Sequence, residues 1–230
     1  MRRASSTEPR GSVAYHPLVR FEDAVARLER LPDPLPGPPE ALRPLLLTGA
    51  DAVPADRDGG VREAAVLVLV YPGPDGEPWT ILTARPTGDL RHAGEVSFPG
   101  GAVEAVDASM ADTAVREARE EVGLDPAQCG LRIAGELAPV EVRVSGFRLH
   151  PIIAVADRRP VLTADAREVS AILEVPLRSF VAGAPIETVE EDRAGRRIRY
   201  GAYLVAGQRI WGATARVLGQ LGALLADEDA

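Results

Sequence analysis

Three glutamates lie within five consecutive residues of one predicted helix, in the stretch REAREEVGLD (116–125). Glu117, Glu120 and Glu121 are three and four residues apart, so they project from one face of the helix. Like charges at this spacing repel by roughly 0.2–0.5 kcal/mol per pair. A divalent cation offsets such repulsion, and Mg²⁺ and Mn²⁺ prefer oxygen ligands of this kind. The alternative interpretation is an acidic face that only contacts solvent.

A glycine-rich bend, FPGG (98–101), precedes the helix and favours the metal-site interpretation. Gly100 and Gly101 allow a tight backbone excursion, so that a bare carbonyl or amide can approach whatever the carboxylates hold. Arg116 lies one helical turn before Glu120 and could orient its carboxylate.

The helix that carries the glutamates has recognisable ends. Ser109 and Asp112 form a capping box, and Gly123 is suited to a left-handed C-cap. Small apolar residues recur at helical spacing and predict the face that packs on the core. These are Ala111, Ala114, Val115, Ala118 and Val122.

The rest of the chain alternates strand-like and helix-like segments. The apolar run AAVLVLVY (64–71) predicts a strand buried on both faces. Further strands are predicted at 79–85, 131–137, 146–156 and 168–177, with a hairpin over 184–206 and a final helix over 211–226. This order predicts an α/β (α+β) fold, a mixed β-sheet sandwiched between helices.

The first 60 residues have a different character. A polar start precedes a helical apolar stripe at 18–31, and the proline-dense stretch 32–44 predicts an extended strap. We therefore expect an N-terminal extension at 1–60 (flexible tail, helix and proline-rich strap) and a catalytic domain at 61–230.

Composition excludes several classes of function. The net charge is −8 and no strong basic run occurs, which argues against nucleic-acid binding. All 26 basic residues are arginine, so a Walker-type phosphate loop and Schiff-base chemistry lack their lysine. The single cysteine, Cys129, cannot form an internal disulfide and suits a cytoplasmic protein. No apolar run reaches the roughly 18–20 residues of a membrane span.

The segment from Gly101 through Asp107 to Arg116–Leu124 closely resembles the Nudix box. That motif runs glycine, five residues, an acid, seven residues, then R-E-aliphatic-x-E-E-x-G-aliphatic. The second half matches at every specified position. In this chain the first acid is aspartate, and eight residues separate it from Arg116.

The resemblance implies a Nudix-like fold and a hydrolase of nucleoside diphosphates linked to another group, with Mg²⁺ or Mn²⁺ as cofactor. It implies that Glu117 and Glu121 are metal ligands and that Glu120 is a third ligand or the base. Arg116 would orient one of these carboxylates, and the Gly101 carbonyl could complete the coordination. In this family a general base often lies outside the box, and two candidates remain open here, Glu141 and Glu95.

The segment ILTARPTGDLRHAGEVSFPGG (81–101) resembles the coenzyme A diphosphatase branch of the family. The matching residues are Leu82, Thr83, Arg85, Gly94, Phe98, Pro99, Gly100 and Gly101. Leu90 stands where the pattern has arginine, and Arg91 follows it. The likeness implies coenzyme A or acyl-CoA as substrate, with Arg85, Arg91, Phe98 and Gly100 in the substrate site. Surface ion pairs are the alternative for both arginines.

Two other functions are compatible with the same motif. The first is hydrolysis of another nucleotide, such as ADP-ribose, NADH or a nucleoside triphosphate. The second is a non-catalytic Nudix module that senses a nucleotide, although such proteins typically lose box glutamates. The family also suggests a homodimer, while the partner expected from the sequence is a small nucleotide.

Overall fold

The computed structural model describes residues 19–48, 60–86, 95–142, 145–193 and 195–226. Its α-helices are α1 (Phe21–Leu28), α2 (Met110–Val122), α3 (Pro126–Cys129) and α4 (Gly212–Leu225). Its strands are β1 (Leu45–Thr48), β2 (Arg62–Pro72), β3 (Pro78–Ala84), β4 (Val96–Ser97), β5 (Gly100–Ala102), β6 (Leu131–Glu136), β7 (Val140–Val142), β8 (Phe147–Ala156), β9 (Ala171–Pro176), β10 (Glu187–Arg193), β11 (Arg196–Val205) and β12 (Gln208–Trp211). None of these helices is long and apolar enough to cross a membrane.

Eight strands form the larger sheet, in the order β4-β3-β2-β8-β6, with β5 on β2, β7 on β8 and β9 on β3. The central pair β2 and β8 is parallel, and the other pairs are antiparallel. The mixed sheet expected from the sequence is therefore confirmed. The predicted strand at 168–177 begins later, at Ala171, and a short 3-10 turn over Leu177–Ser179 follows Pro176.

Strand β2 is buried on both faces because helices cover the sheet on each side. On one face, Ala65, Leu67 and Leu69 pack with the apolar stripe of α2, and we call this the α2-side core. On the other face, Val66 and Val68 pack with residues of α1 and α4, and we call this the α4-side core. A continuous apolar run suits this position because both faces of the strand meet protein.

A second sheet of four antiparallel strands has the order β1-β11-β10, with β12 on β11. The sequence predicts the β10–β11 hairpin, which is confirmed, but not β1, β12 or the separation into two sheets. Both missed strands have only four residues. Segments of this length carry too little periodicity to be recognised.

Residues 19–48 pack against the rest of the fold. Ala24 and Leu28 of α1, together with Leu42, are fully buried in the α4-side core. Each buried leucine stabilises the fold by about 1.5–3 kcal/mol. The Gln220 side chain of α4 donates a hydrogen bond to the Pro36 carbonyl at 2.8 Å, which attaches the proline-rich segment. The boundary at residue 61 stays a prediction, and the tail 1–18 lies outside the described residues.

Candidate active site

Helix α2 is fixed at both ends as the sequence predicts. The Ser109 side chain accepts a hydrogen bond from the Asp112 amide at 3.2 Å and donates one to the Asp112 carboxylate at 2.9 Å. Gly123 ends the helix in the left-handed conformation, with φ of 63°. The alanine and valine stripe packs in the α2-side core, and the glutamates lie on the adjacent face of the helix, with the buried Glu121 next to the stripe.

The two glycines of β5 allow two different close approaches. Gly100 and Gly101 pair with Val66 and Ala65 of β2. A Cβ at Gly100 would lie 2.3 Å from the Ala65 carbonyl oxygen, so this glycine lets two backbones meet. A Cβ at Gly101 would lie 2.4 Å from Oε1 of Glu117, so this glycine makes space for a carboxylate. The glycine bend therefore lies directly beside the acidic helix.

Arg116 is the centre of a hydrogen-bond network at the start of the site. Its Nε donates to Asp107 Oδ1 at 2.9 Å and its Nη2 donates to Asp107 Oδ2 at 3.0 Å. Nη2 also donates to the Ala102 carbonyl at 3.1 Å, which links α2 to β5. From the other side, Nη1 donates to Glu117 at 3.0 Å and to Glu120 at 3.1 Å. Arg116 thus orients two of the three glutamates.

Asp107 holds this arginine in place. Its side chain is 3% exposed and also accepts hydrogen bonds from the Glu104 amide and the Thr113 hydroxyl, both at 2.9 Å. The hydrogen bonds from Arg116, followed by that from the Glu104 amide, hold the pKa of Asp107 well below its usual range. The aspartate that stands at this position of the motif therefore still gives Arg116 a negatively charged partner.

Glu121 is the most unusual side chain of the helix. The residue is 6% exposed, and its Oε2 atom has no hydrogen-bond partner within the part of the chain that the structure describes. Burial raises its pKa to about 7, although the nearby Arg85 charge and the Gly100 amide lower it. The negative charge of Glu117 adds to the rise. Among the described residues, the site therefore contains a buried carboxylate oxygen that accepts no hydrogen bond.

The other two glutamates of the helix differ in burial. The Glu117 side chain is largely buried, and burial raises its pKa despite the hydrogen bond from Arg116. The Glu120 side chain is 58% exposed. Glu117 and Glu121 consequently form the inner part of the site, and Glu120 lies at its rim.

Glu168 joins the site although the sequence interpretation did not include it. Its backbone amide donates to the Asp165 carbonyl at 3.0 Å, and its negative charge raises the pKa of both Glu117 and Glu121. The Asp165 amide donates to the Glu121 carbonyl at 2.9 Å, and the Ser170 hydroxyl donates to the Ala84 carbonyl at 2.9 Å. The pairing of β9 with β3 brings the residues before β9 to the end of β3, next to Arg85, and no local pattern in the sequence indicated this pairing.

Other residues predicted for the site have different positions. Phe98 is 2% exposed and packs in the α4-side core, on the face opposite α2, so its side chain fills the core instead of lining the substrate site. Glu141 is on β7 with a side chain 63% exposed, and it forms an ion pair with Arg148 at 3.7 Å. Its role as a base stays a prediction. Glu95 accepts a backbone hydrogen bond from Arg85 at 3.0 Å. Arg91 lies outside the described residues.

The chemistry of the donors fits a hard divalent cation. Glu117 and the unpartnered oxygen of Glu121 are carboxylate donors beside a glycine strand. In the described ranges, no three acidic, histidine or cysteine side chains are already gathered into a metal cage. Arg116 holds Glu117 and Glu120 instead. A bound cation would therefore compete with Arg116 for the Glu117 carboxylate.

Comparisons with known proteins identify the family. The family model described as NUDIX domain matches residues 61–176. The uncharacterized Nudix hydrolase NudL of Salmonella paratyphi B is 36% identical over 160 residues, which cover 70% of this chain and 81% of that protein. The NudL protein of Salmonella newport gives the same values.

A solved structure, the Nudix hydrolase RenU from M. smegmatis, is 25% identical with a TM-score of 0.44. The alignment covers 54% of this chain and 80% of that one. The family match over 61–176 and the 36% identity to NudL show that the chain belongs to the Nudix family, as a pyrophosphohydrolase of nucleoside diphosphate derivatives in a family that generally uses Mg²⁺ or Mn²⁺.

Proposed function

We propose that this Nudix hydrolase cleaves the diphosphate of coenzyme A or of an acyl-CoA. The products would be 4′-phosphopantetheine, acylated or free, and adenosine 3′,5′-bisphosphate. The observation that carries the hydrolytic site is the unpartnered, buried Oε2 of Glu121 beside Glu117 and the glycine strand. The choice of coenzyme A is supported by the resemblance of residues 81–101 to that branch of the family.

In this proposal the inner carboxylates hold the cation. Glu117 and Glu121 would be its side-chain ligands, Glu120 would contribute from the rim, and the Gly101 carbonyl would complete the set. The cation supplies charge neutralisation for the diphosphate and lowers the pKa of water. Arg116 keeps Glu117 and Glu120 oriented through its bonds at 3.0 and 3.1 Å.

Arg85 is the proposed phosphate contact in the described part of the site. Its charge lowers the pKa of Glu121, so the guanidinium is close to the inner carboxylates. It follows directly after β3, and its backbone amide is fixed by the Glu95 carbonyl. A guanidinium fits the planar arrangement of phosphate oxygens. Arg91 and Gly100 remain proposed substrate contacts on the basis of the resemblance.

For the general base, the electrostatic contacts favour Glu168 over Glu141. Glu168 affects the pKa of both inner glutamates, whereas the ion pair of Glu141 is with Arg148. A base must come within hydrogen-bond reach of the attacking water, directly or through one further water. We therefore propose Glu168 as the first candidate and keep Glu141, Glu95 and Glu120 as the next ones.

A substrate screen tests this function. Coenzyme A, an acyl-CoA, ADP-ribose, NADH and a nucleoside triphosphate are incubated with the full chain and either Mg²⁺ or Mn²⁺, and products are identified by mass. The expected result is that coenzyme A or acyl-CoA gives the highest kcat/KM. Glu121→Gln is the inactive control. Glu187→Gln is the matched control, because Glu187 lies in the second sheet and pairs with Arg209 at 3.6 Å.

The outcomes test the proposed substrate and the proposed catalytic site separately. Rapid cleavage of ADP-ribose or NADH with negligible turnover of coenzyme A would refute the substrate but retain the chemistry. Equal phosphate release by the parent and by Glu121→Gln would refute the assigned site. Tight binding of a nucleotide without any hydrolysis would indicate the sensor function instead.

We also propose a cytoplasmic homodimer as the cellular form. The buried, unpaired Cys129 suits a reducing compartment. Light scattering during size-exclusion chromatography measures the mass directly. A monomer mass at micromolar concentration would contradict the dimer.

A further inference from the structure

A second group of charged residues lies outside the acidic helix. His150 of β8 has a side chain 16% exposed and lies between two carboxylates from neighbouring strands. Its Nδ1 is 2.6 Å from Glu136 Oε1 on β6, and its Nε2 is 2.8 Å from Glu63 Oε2 on β2. Arg148 extends the group, with contacts of 3.4 Å to Glu63 and 3.7 Å to Glu141. We call these five residues the His150 cluster.

The two carboxylates define the charge state of the histidine. An ionised carboxylate only accepts hydrogen bonds, so each ring nitrogen must carry a proton to bond its partner. Burial lowers the pKa of His150, but the hydrogen bonds to Glu136 and Glu63 outweigh this and raise the pKa above its ordinary value of 6.5. The imidazolium is therefore the form that satisfies both contacts.

The cluster is not suited to bind a phosphate. It contains three carboxylates and two cations, so its net charge is negative even with the histidine protonated. Each cationic group already contacts carboxylates. The cluster must therefore act on the protein itself instead of on an anionic substrate.

The strand register connects the cluster to the active site. Ala65 of β2 pairs with His150 on one side and with Gly101 on the other, so the three residues form one row across β8, β2 and β5. Glu63 also accepts a backbone hydrogen bond from Val103 at 3.1 Å, just after the glycine strand. At about 4.8 Å per strand, His150 and Gly101 are two strand spacings apart. Movement at the start of β2 would thus reach the glycine strand.

We propose that His150 is a positioning residue for the active site. As an imidazolium it links β6 to β2 across β8 and holds the start of β2, on which the glycine strand β5 is paired. Neutral imidazole has one N–H, so one of the two carboxylates would lose its donor. The inference rests on the proposed function for its effect on catalysis, but the link itself can be measured without substrate.

The groups around His150 determine the direction of its pH dependence. Glu63 faces it from β2, Glu136 from β6 and Arg148 from β8, while Glu141 of β7 contacts that arginine. Helix α2 contributes Glu117 at the Gly101 end of the row. Because the folded pKa is raised, the link is complete below the unfolded value of 6.5. It is lost as pH rises through the higher folded value.

Histidine NMR tests the link on the full chain. The protein has three histidines, so three ring signals are expected, and His150→Gln identifies the relevant one. We expect His150 to titrate above pH 6.5 in the parent and at a lower pH in Glu136→Gln. Titration at or below 6.5, or an unchanged value in Glu136→Gln, would overturn the link.

The pH profile of kcat/KM tests the positioning role. Glu136 is on β6, so Glu136→Gln weakens the link from its far end and serves if His150→Gln fails to fold. We expect kcat/KM of Glu136→Gln to be roughly two- to tenfold below the parent at pH 6, the range that corresponds to the loss of one typical hydrogen bond. The difference should narrow as pH rises through the His150 titration.

The control and the outcomes keep this result separate from the proposed function. Glu187→Gln carries the same chemical change in the second sheet and should follow the parent at each pH. A constant ratio of Glu136→Gln to parent across the pH range would overturn the positioning role. Absence of pyrophosphate hydrolysis in the parent would refute the proposed function, whereas the NMR titration would still test the link.

Discussion

Asp107 and Glu121 are two carboxylates of one site whose side chains are both little exposed, but their surroundings are opposite. Asp107 accepts hydrogen bonds from Arg116, Thr113 and the Glu104 amide, and its pKa is lowered. Glu121 has an oxygen without a partner in the described residues, and its pKa is raised to about 7. Burial therefore dominates the pKa of Glu121, whereas the hydrogen bonds from Arg116 dominate that of Asp107.

The difference separates an acid that holds another side chain in place from one that we propose as a ligand of the cation. When both oxygens of a carboxylate accept hydrogen bonds, those bonds stabilise its charged form and hold the partner, here Arg116, in place. A buried carboxylate oxygen that accepts no hydrogen bond costs free energy. In the proposed site, a cation bound by Glu121 would offset that cost.

The largest expected effect is that of Glu121→Gln on activity. Loss of a metal ligand removes several kcal/mol of charge stabilisation, so kcat/KM should fall by about 10²–10³-fold. In the absence of metal, Glu121→Gln should also be more stable than the parent at pH 8. The folded pKa of about 7 exceeds the ordinary 4.5, so the parent loses stability between these values, by on the order of 3 kcal/mol.

Thermal unfolding with a chelator at pH 4 and pH 8 measures this second effect. The two proteins should unfold at similar temperatures at pH 4 and diverge at pH 8. Added Mg²⁺ should then raise the unfolding temperature of the parent more than that of the variant. Identical unfolding curves at pH 8 would show that the Glu121 oxygen has a partner that the described contacts do not include.

The next effect compares the two glycines. Gly101→Ala places a methyl group 2.4 Å from the end of the Glu117 side chain. Displacing this carboxylate should lower kcat/KM by roughly ten- to hundredfold with little loss of stability. Gly100→Ala meets the Ala65 carbonyl at 2.3 Å and Val66 Cα at 2.6 Å, both backbone atoms. Gly100→Ala should instead lower the unfolding temperature. Steady-state kinetics and calorimetry on both variants measure the two effects. A larger loss of activity in Gly100→Ala, or a larger loss of stability in Gly101→Ala, would contradict this comparison.

Asp107→Asn tests the carboxylate whose two oxygens both accept hydrogen bonds. The amide cannot accept both charged bonds from Arg116, so this arginine should orient Glu117 less well and kcat/KM should fall by about tenfold. The folded pKa of Asp107 is depressed, so its contribution to stability is present above the ordinary value of 3.8 and is lost at lower pH. Acid unfolding curves should therefore converge below pH 3.8. A constant difference down to pH 2 would contradict the ion-pair role.

The smallest expected effect is that of Glu120→Gln. The Glu120 side chain is more than half exposed and pairs with Arg116 at 3.1 Å. Exposed pairs contribute 0.2–1 kcal/mol, so the activity should change by less than about fivefold. A loss as large as that of Glu121→Gln would make Glu120 a full metal ligand or the base, and the rim position would need revision.

Local signals in the sequence predicted the parts of the site that lie on one element. The capping box at Ser109 and the glycine at 123 determine the ends of α2 without help from distant residues. The apolar run of β2 likewise carries its own signal of burial on two faces. The helix ends depend on contacts between residues a few positions apart, and the burial of β2 is visible in its own run of apolar residues.

The parts that were missed depend on pairing between distant segments. Glu168 reaches the site because β9 pairs with β3, and nothing local to Glu168 indicates this. The motif assigned Phe98 to the substrate site, but Phe98 follows directly after β4 and its side chain packs in the α4-side core. Strand β5 has three residues and two glycines, so it has almost no side-chain pattern to reveal its pairing with β2.

The burial of Leu28 and Leu42 beneath α4 has a practical consequence for anyone who expresses this enzyme. The recognised motif region, residues 61–176, omits α1, the proline-rich segment and α4. A fragment cut at those limits would leave one whole side of the central sheet without its cover, and it should aggregate. The smallest soluble fragment should begin before Phe21 and continue to Leu225.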